Sequence, residues 1–219
     1  MKDFGKAFLE MRELLQSPAF KDRGEESVGN MFMALASWGG TAAVDVITTT
    51  FFDKYTKRLF GKYPGKPVLN HLLAIRYLLS NNIGYSIGHA KEVLLAEPEN
   101  PLGYLTIGIA VLHVAGQKRT HRKPFFILQA FAFFFRYLEL SKESGEEEAT
   151  YNVGRAFHFI NLLQYAIVYY EKTLALPATA TPAGKVSRKP EAAFNLAHIY
   201  AAQGSTEMAQ LLFQKYCSI

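Results

Sequence analysis

The chain has 219 residues, 49% of them hydrophobic, and a formal net charge of +5, so it can bury a sizeable core and extended disorder is excluded over most of its length. Its one cysteine, Cys217, excludes an internal disulfide and fits a reducing compartment. The longest apolar runs, Leu105 to Gly116 and Pro124 to Phe135, fall short of the roughly 20 residues a bilayer requires, and basic residues separate them, so no membrane span and no membrane partner is expected. Met1 to Lys6 leads into mixed charged and apolar sequence, which argues against a secretory signal.

In chain order, Phe4 to Gln16 and Glu26 to Trp38 have helical apolar spacing, Gly39-Gly40 reads as a turn, and Val44 to Tyr63 supports a helix ending at Pro64. Residues 1–66 therefore read as degenerate helical repeats or an N-terminal helical segment. Pro64 and Pro98 lie 34 positions apart, each where a proline would stop a helix, and between them Pro67 to Asn100 forms one whole unit. Its first helix carries Leu73, Ala74 and Tyr77, and its second Ser86, Ala90 and Val93.

The next unit opens at Pro101-Leu-Gly-Tyr104, with Ile107, Gly108 and Val111 repeating the first-helix pattern. The small residue of its second helix arrives at Ala130, 22 positions on, so about ten residues are inserted in the turn around Gly116 to Pro124. Phe125 to Leu140 then reads as an aromatic-rich helix, and Glu146, Glu147 and Glu148 open the one after, where negative charge suits the positive end of a helix dipole. Near the end the chain repeats itself: Tyr151-Asn-Val-Gly-Arg-Ala-Phe157 with Ala166 and Tyr170, then Phe194-Asn-Leu-Ala-His-Ile-Tyr200 with Ala209 and Phe213. In both copies a small residue (Gly154, Ala197) precedes another by twelve positions and an aromatic by sixteen. The connection from Pro177 to Pro190, with Lys185, Arg188 and Lys189, reads as a flexible loop.

This pattern resembles the tetratricopeptide (TPR) repeat, two antiparallel helices in about 34 residues with small residues where they cross. The expected fold is all-α: a TPR-like right-handed superhelix of antiparallel helix pairs, an α-solenoid of about five hairpins, with residues 67–219 forming an array interrupted near 116–124 and 177–190. Such chains usually bind other proteins. No histidine pair has i,i+4 spacing, no cysteine pair exists, and there is no nucleophile elbow, phosphate-binding glycine loop or paired-carboxylate arrangement, so neither metal, cofactor nor catalysis is expected.

Residues 67–219 resemble more particularly the TPR subunit of transcription factor IIIC (TFIIIC), the assembly factor of RNA polymerase III. The resemblance is carried by the interrupted repeat Gly103-Tyr-Leu-Thr-Ile-Gly with Gly-Gln-Lys-Arg119, by Tyr151 to His158 with Ala166-Ile-Val-Tyr-Tyr-Glu-Lys172, and by Gly204-Ser-Thr-Glu-Met-Ala-Gln210 with Tyr216-Cys-Ser-Ile219. It implies a nuclear scaffold in the arm of TFIIIC that recognises the A-box promoter element, with other TFIIIC subunits as partners and TFIIIB as a further one. Members of that family are several times longer, and the array associated with TFIIIB recruitment lies N-terminal to the part matched here.

Several surfaces are candidates for contact. First helices of TPR units line the concave face, which would place Tyr151, Arg155, Phe159 and His198 on a protein-binding surface, Arg155 offering a planar fork of donors; the alternative is a solvated, locally paired arginine. Lys118, Arg119, His121, Arg122 and Lys123 make a basic loop that can touch phosphate or an acidic segment, or simply be solvated; with no base-reading motif beside it, DNA contact is limited to indirect or non-specific touch. The stripe Phe131, Phe133, Phe134, Phe135 and Tyr137 reads as core before ligand groove. The last helix lacks a polar outer cap, so Leu211, Leu212 and Tyr216 are expected to be covered by another subunit or a second copy. The competing functional reading is a generic TPR adaptor, such as a chaperone-associated module gripping acidic C-terminal peptides; Asn152, Arg155 and Asn195 suggest part of its clamp, but Ile75 and Ile109 stand where polar groove residues are needed. A third is direct nucleic-acid binding through the basic loops, with steep salt dependence.

Overall fold

The computed structural model describes residues 56–58, 60–61, 65–117, 120–177 and 186–217. The expected helices before residue 56 and the basic residues Lys118, Arg119 and Lys185 lie outside them. Eight α-helices follow in order among the described residues: α1 (Pro67–Leu79), α2 (Ile83–Ala96), α3 (Pro101–Gly116), α4 (Lys123–Leu140), α5 (Lys142–Phe159), α6 (Leu163–Ala175), α7 (Lys189–Ala202) and α8 (Thr206–Leu212), with a π-helical turn, Phe213–Cys217, at the end. The chain divides into two compact units, one up to Ala110 and one from Val111.

In the first unit, Pro67 sits in the opening turn of α1, where its locked φ suits a helix and its missing N–H costs nothing. Leu69, Leu72 and Leu73, at i, i+3 and i+4, and Ala74 beside them are buried against α2, which contributes Ile83, Ser86, Ala90 and Val93. Asn100 caps α3, its Oδ1 accepting the N–H groups of Leu102 and Gly103 at 3.0 and 3.2 Å. Two histidines hold the layers together. His89 Nδ1 meets Asn70 Oδ1 at 2.9 Å, and His71 Nε2 lies 3.1 Å from Thr106 Oγ1. The Thr106 hydroxyl donates to the Leu102 carbonyl, so His71 Nε2–H must be the donor to Thr106.

The second unit is built on rings. Phe131, Phe134 and Tyr137 of α4 are buried, Phe131 stacking on Phe157 of α5 with centroids 4.1 Å apart. Phe135, expected in the same core stripe, is instead 44% exposed, because 100° per residue carries it past the seam with α5. Phe157 continues the stack onto Tyr165 and Tyr169 of α6 at 5.2 and 5.4 Å. Tyr170, with no exposed surface, fills the crossing beneath Gly154, where a methyl group would lie 2.9 Å from the ring. The equivalent aromatic of the last hairpin, Phe213, stays at the surface, edge-on to Phe194 at 5.9 Å.

Three hairpin turns share one design. After α1, α5 and α7 the chain reverses through Asn81, Asn161 and Gly204, at φ of 59°, 62° and 85°. Asparagine and glycine tolerate this left-handed conformation best. Each turn closes with a bond from an N–H to the carbonyl five residues back: Asn82 to Tyr77, Leu162 to Phe157 and Ser205 to Tyr200, at 2.8, 3.0 and 2.9 Å.

Glu146, Glu147 and Glu148 open a helical segment as expected, since α5 breaks at Gly145 and resumes there; Glu147 is only 2% exposed, its carboxylate accepting the Ser187 hydroxyl and the Arg188 N–H at 2.7 and 2.5 Å. The expectation for the connection before α7 needs correction. Arg188 and Lys189 accordingly do not belong to a flexible loop. Arg188 pairs with Glu191 at 3.1 Å and Glu148 at 3.6 Å, and Lys189 Nζ donates to the Leu176 carbonyl.

Replacing Gly154 by Ala is expected to lower stability by about 1–2 kcal/mol, the overpacking against the buried Tyr170 ring outweighing the helix-propensity gain. Gly103→Ala, whose new methyl meets the movable end of the Leu94 side chain, should stay within about 1 kcal/mol of the parent. Urea unfolding of the two variants tests the contrast. Burial also holds His71 down to about 4, against a smaller opposing pull from Glu97. Above pH 6.5 the ring is neutral folded or unfolded and contributes no pH dependence; as pH falls from 6.5 towards 4 only the unfolded chain takes the proton, and up to about 3 kcal/mol of stability is lost. The urea midpoint of His71→Gln should fall less steeply over that window than that of the parent.

Candidate protein-interaction surface

The residues expected to line a groove lie on α5 and α7, and the structure brings only some of them together. Tyr151, Arg155 and His158 stand at i, i+4 and i+7 on one face of α5. Tyr151 is buried and forms the floor: its hydroxyl accepts a bond from Asn195 Nδ2 of α7 at 3.3 Å, and the Arg155 guanidinium lies 5.8 Å from its ring centroid. Burial pushes the Tyr151 hydroxyl up, only partly offset by Arg155. Arg155 itself is exposed and has no carboxylate partner among the described residues.

Sequence reasoning missed His158. Its Nδ1 lies 3.2 Å from the Tyr170 hydroxyl, and burial lowers its proton affinity, with the neighbouring His198 lowering it further. His198 is exposed on α7, edge-on to Phe194 at 4.7 Å. Arg155, His158 and His198 therefore form one patch above Tyr151. The missed signal was local: His158 follows Arg155 by three residues, as His198 follows Asn195. Phe159 does not join the patch. It is exposed on another side of α5, stacked on His113 at 5.4 Å and resting against Gly116.

The asparagines of the supposed peptide clamp are committed to the fold. Asn152 Nδ2 donates to the Tyr137 hydroxyl at 3.2 Å, as Asn195 does to Tyr151. Each thus ties a first helix to an earlier helix. The staple at Glu147 fixes the start of α7 relative to α5.

The other candidates are distributed differently. His121, Arg122 and Lys123 are exposed, and neither cation has a carboxylate partner among the described residues. At the C-terminal side Leu211 is exposed, whereas Leu212 and Tyr216 are half-buried, since the π-helical turn folds back on α7 with Cys217 Sγ 3.6 Å from the Pro190 carbonyl. Among the described residues no three His, Cys, Asp or Glu side chains gather as metal ligands, and no helix is long and apolar enough to cross a membrane.

Antiparallel helix pairs, small residues at the crossings and polar side chains displayed from successive first helices define a tetratricopeptide-repeat protein. A thermophilic TPR protein of Thermus thermophilus has the same fold, with a TM-score of 0.66 at 17% identity over 88% of this chain and 90% of that one. BtubC of P. vanneervenii superposes with a TM-score of 0.54 at 16% identity, covering 97% of this chain and 86% of that one. No family model matches the chain. Individual relatives do: it is 33% identical over 169 residues to general transcription factor 3C polypeptide 3 of Homo sapiens, covering 76% of this chain and 19% of the relative. It is 32% identical over 165 residues to transcription factor tau subunit sfc4 of Schizosaccharomyces pombe, covering 68% and 16%, and 31% identical over 157 residues to the transcription factor tau 131 kDa subunit of Saccharomyces cerevisiae, covering 70% and 15%. The chain belongs to this family of TFIIIC (tau) TPR subunits, and it spans less than a fifth of the length of these relatives.

Removing the staple tests how the patch is held. Glu147→Ala leaves the Arg188 N–H and the Ser187 hydroxyl without their acceptor and should cost about 1–3 kcal/mol, with faster tryptic cleavage after Arg188; Glu147→Gln, which keeps the accepting oxygen, should lose less.

Proposed function

We propose that this chain is a non-catalytic protein-interaction scaffold of TFIIIC, acting in the nucleus for RNA polymerase III transcription. It holds other TFIIIC subunits in place and through them supports promoter recognition and TFIIIB recruitment. The observation that carries this reading is identity of 31–33% with three transcription factor subunits over more than two thirds of the chain, on a fold whose usual work is binding proteins. The contact surface proposed is the patch of Arg155, His158 and His198 over Tyr151. Its one fixed cation, Arg155, has no nearby carboxylate to spare: Glu148 and Glu191 are taken by Arg188, and Glu171 by the Tyr200 hydroxyl. A partner segment bearing carboxylates would supply what is missing. His121, Arg122 and Lys123 touch DNA at most non-specifically in this reading.

A generic adaptor is less well supported. Its clamp would need Asn152 and Asn195 to reach a peptide, and both donate to tyrosine hydroxyls instead. The test is affinity purification of the tagged, natively expressed chain at moderate salt with nuclease present, followed by mass spectrometry. TFIIIC subunits are expected among the retained proteins; recovery of chaperones without them would overturn the scaffold reading. Introducing negative charge with Arg155→Glu and His198→Glu together should lower recovery of at least one subunit about tenfold at unchanged thermal stability.

A further inference from the structure

Helix α4, Lys123–Leu140, is apolar nearly all round, yet only one side of it is packed. Ala130, Phe131, Phe134 and Tyr137 face the core, while Phe125, Leu128 and Phe135 are 58%, 73% and 44% exposed. With the exposed Ala132 these fall at i, i+3, i+7 and i+10, a straight seam about 15 Å long. A helix apolar on all faces is stable in water only when covered on all faces. Three large side chains in one seam differ from scattered surface apolar residues, because they form one continuous strip.

The geometry points to a second docking surface here, occupied by an amphipathic helix of another protein with carboxylates at one end. The spacing identifies a helix: alternating three- and four-residue steps are those of knobs-into-holes packing, and the seam is too narrow for the broad apolar face a bilayer surface takes up. The charge identifies the end. The seam begins directly after the exposed His121 and the exposed cations Arg122 and Lys123, which have no carboxylate partner among the described residues, whereas Arg136 near its other end is already paired with Glu139 at 2.7 Å. A second copy of this chain fits less well. Set parallel, it brings two basic turns together; set antiparallel, it offers Arg122 and Lys123 only the neutral Arg136–Glu139 pair. The seam uses none of the residues of the α5–α7 patch, and the inference does not depend on which assembly supplies the helix.

The test is to place the photo-crosslinker p-benzoylphenylalanine at Leu128 of the natively expressed chain, with the same group at the exposed Lys172 as control, alongside an isotope-labelled second copy, and to sequence the linked peptide. The expected product is a peptide of a different protein, with apolar residues three and four apart and at least two carboxylates within a turn of one end. Made synthetically, that peptide should bind the purified chain, about tenfold more weakly after Leu128→Glu with the helical content unchanged. Arg122→Glu with Lys123→Glu should weaken it about fivefold at low salt, the difference vanishing near about 0.5 M salt. Links only within the chain, to the labelled copy, to lipid, or no more than at Lys172 would overturn the inference, as would full affinity in Leu128→Glu. A linked peptide of this kind from outside TFIIIC would uphold it and count against the scaffold reading.

Discussion

Close approach of paired helices is the constraint on which the rest of the structure depends. At the crossing of α5 and α6 the backbone of Gly154 lies so near Tyr170 that no side chain fits between them, and Ala166 of the same hairpin, like Ala74, Ala197 and Ala209 of the others, is small enough to be buried almost completely. Close packing at these points aligns the long side chains on either side, so Phe131, Tyr165 and Tyr169 all stack on Phe157. Where the small residue carries a hydroxyl the fit has a cost. Ser86 is fully buried at the position of Ala166 and Ala209, and its Oγ has no hydrogen-bond partner among the described residues.

Polar groups inside this helical array serve mainly to register one hairpin on the next. Asn152 to Tyr137, Asn195 to Tyr151 and Glu147 to the Ser187–Arg188 segment all join residues on different helices or across a loop. Apolar faces slide over one another at little cost, whereas a buried donor and acceptor must meet or both lose their hydration. The proposed binding surface follows from this division of labour. Residues that hold the register bond to other helices, whereas Arg155 and His198 touch only the rings of Tyr151 and Phe194 and are the ones proposed to meet a partner.

Much of the fold was legible in the sequence and less of the site. The twelve- and sixteen-residue spacings at Gly154, Ala166 and Tyr170 are local consequences of helix geometry, so they can be read without coordinates. Arg155 and His198 were legible as first-helix polar positions, but His158 was not, because its partner Tyr170 comes from the second helix of the hairpin and nothing in a linear pattern marks a contact across a turn. Phe159 was misplaced for the converse reason: one residue beyond His158, it turns 100° around α5 and meets His113. The three left-handed turns had a signal, an asparagine or glycine four residues after Tyr77, Phe157 and Tyr200, which gains meaning only once the helix ends are known.

By itself the sequence determined the helical class, the hairpin spacing, the small residues at the crossings and the family, because each is encoded in residue types at short or regular separations. Only the tertiary structure decided which polar residues are structural and which are free. Glu147 became a buried staple, Asn152 and Asn195 became supports for tyrosines, and Phe125, Leu128 and Phe135 remained in solvent on a helix that composition alone would bury. The physical reason is that burial and pairing are properties of the neighbours a side chain meets, and those neighbours lie up to 44 positions away along the chain.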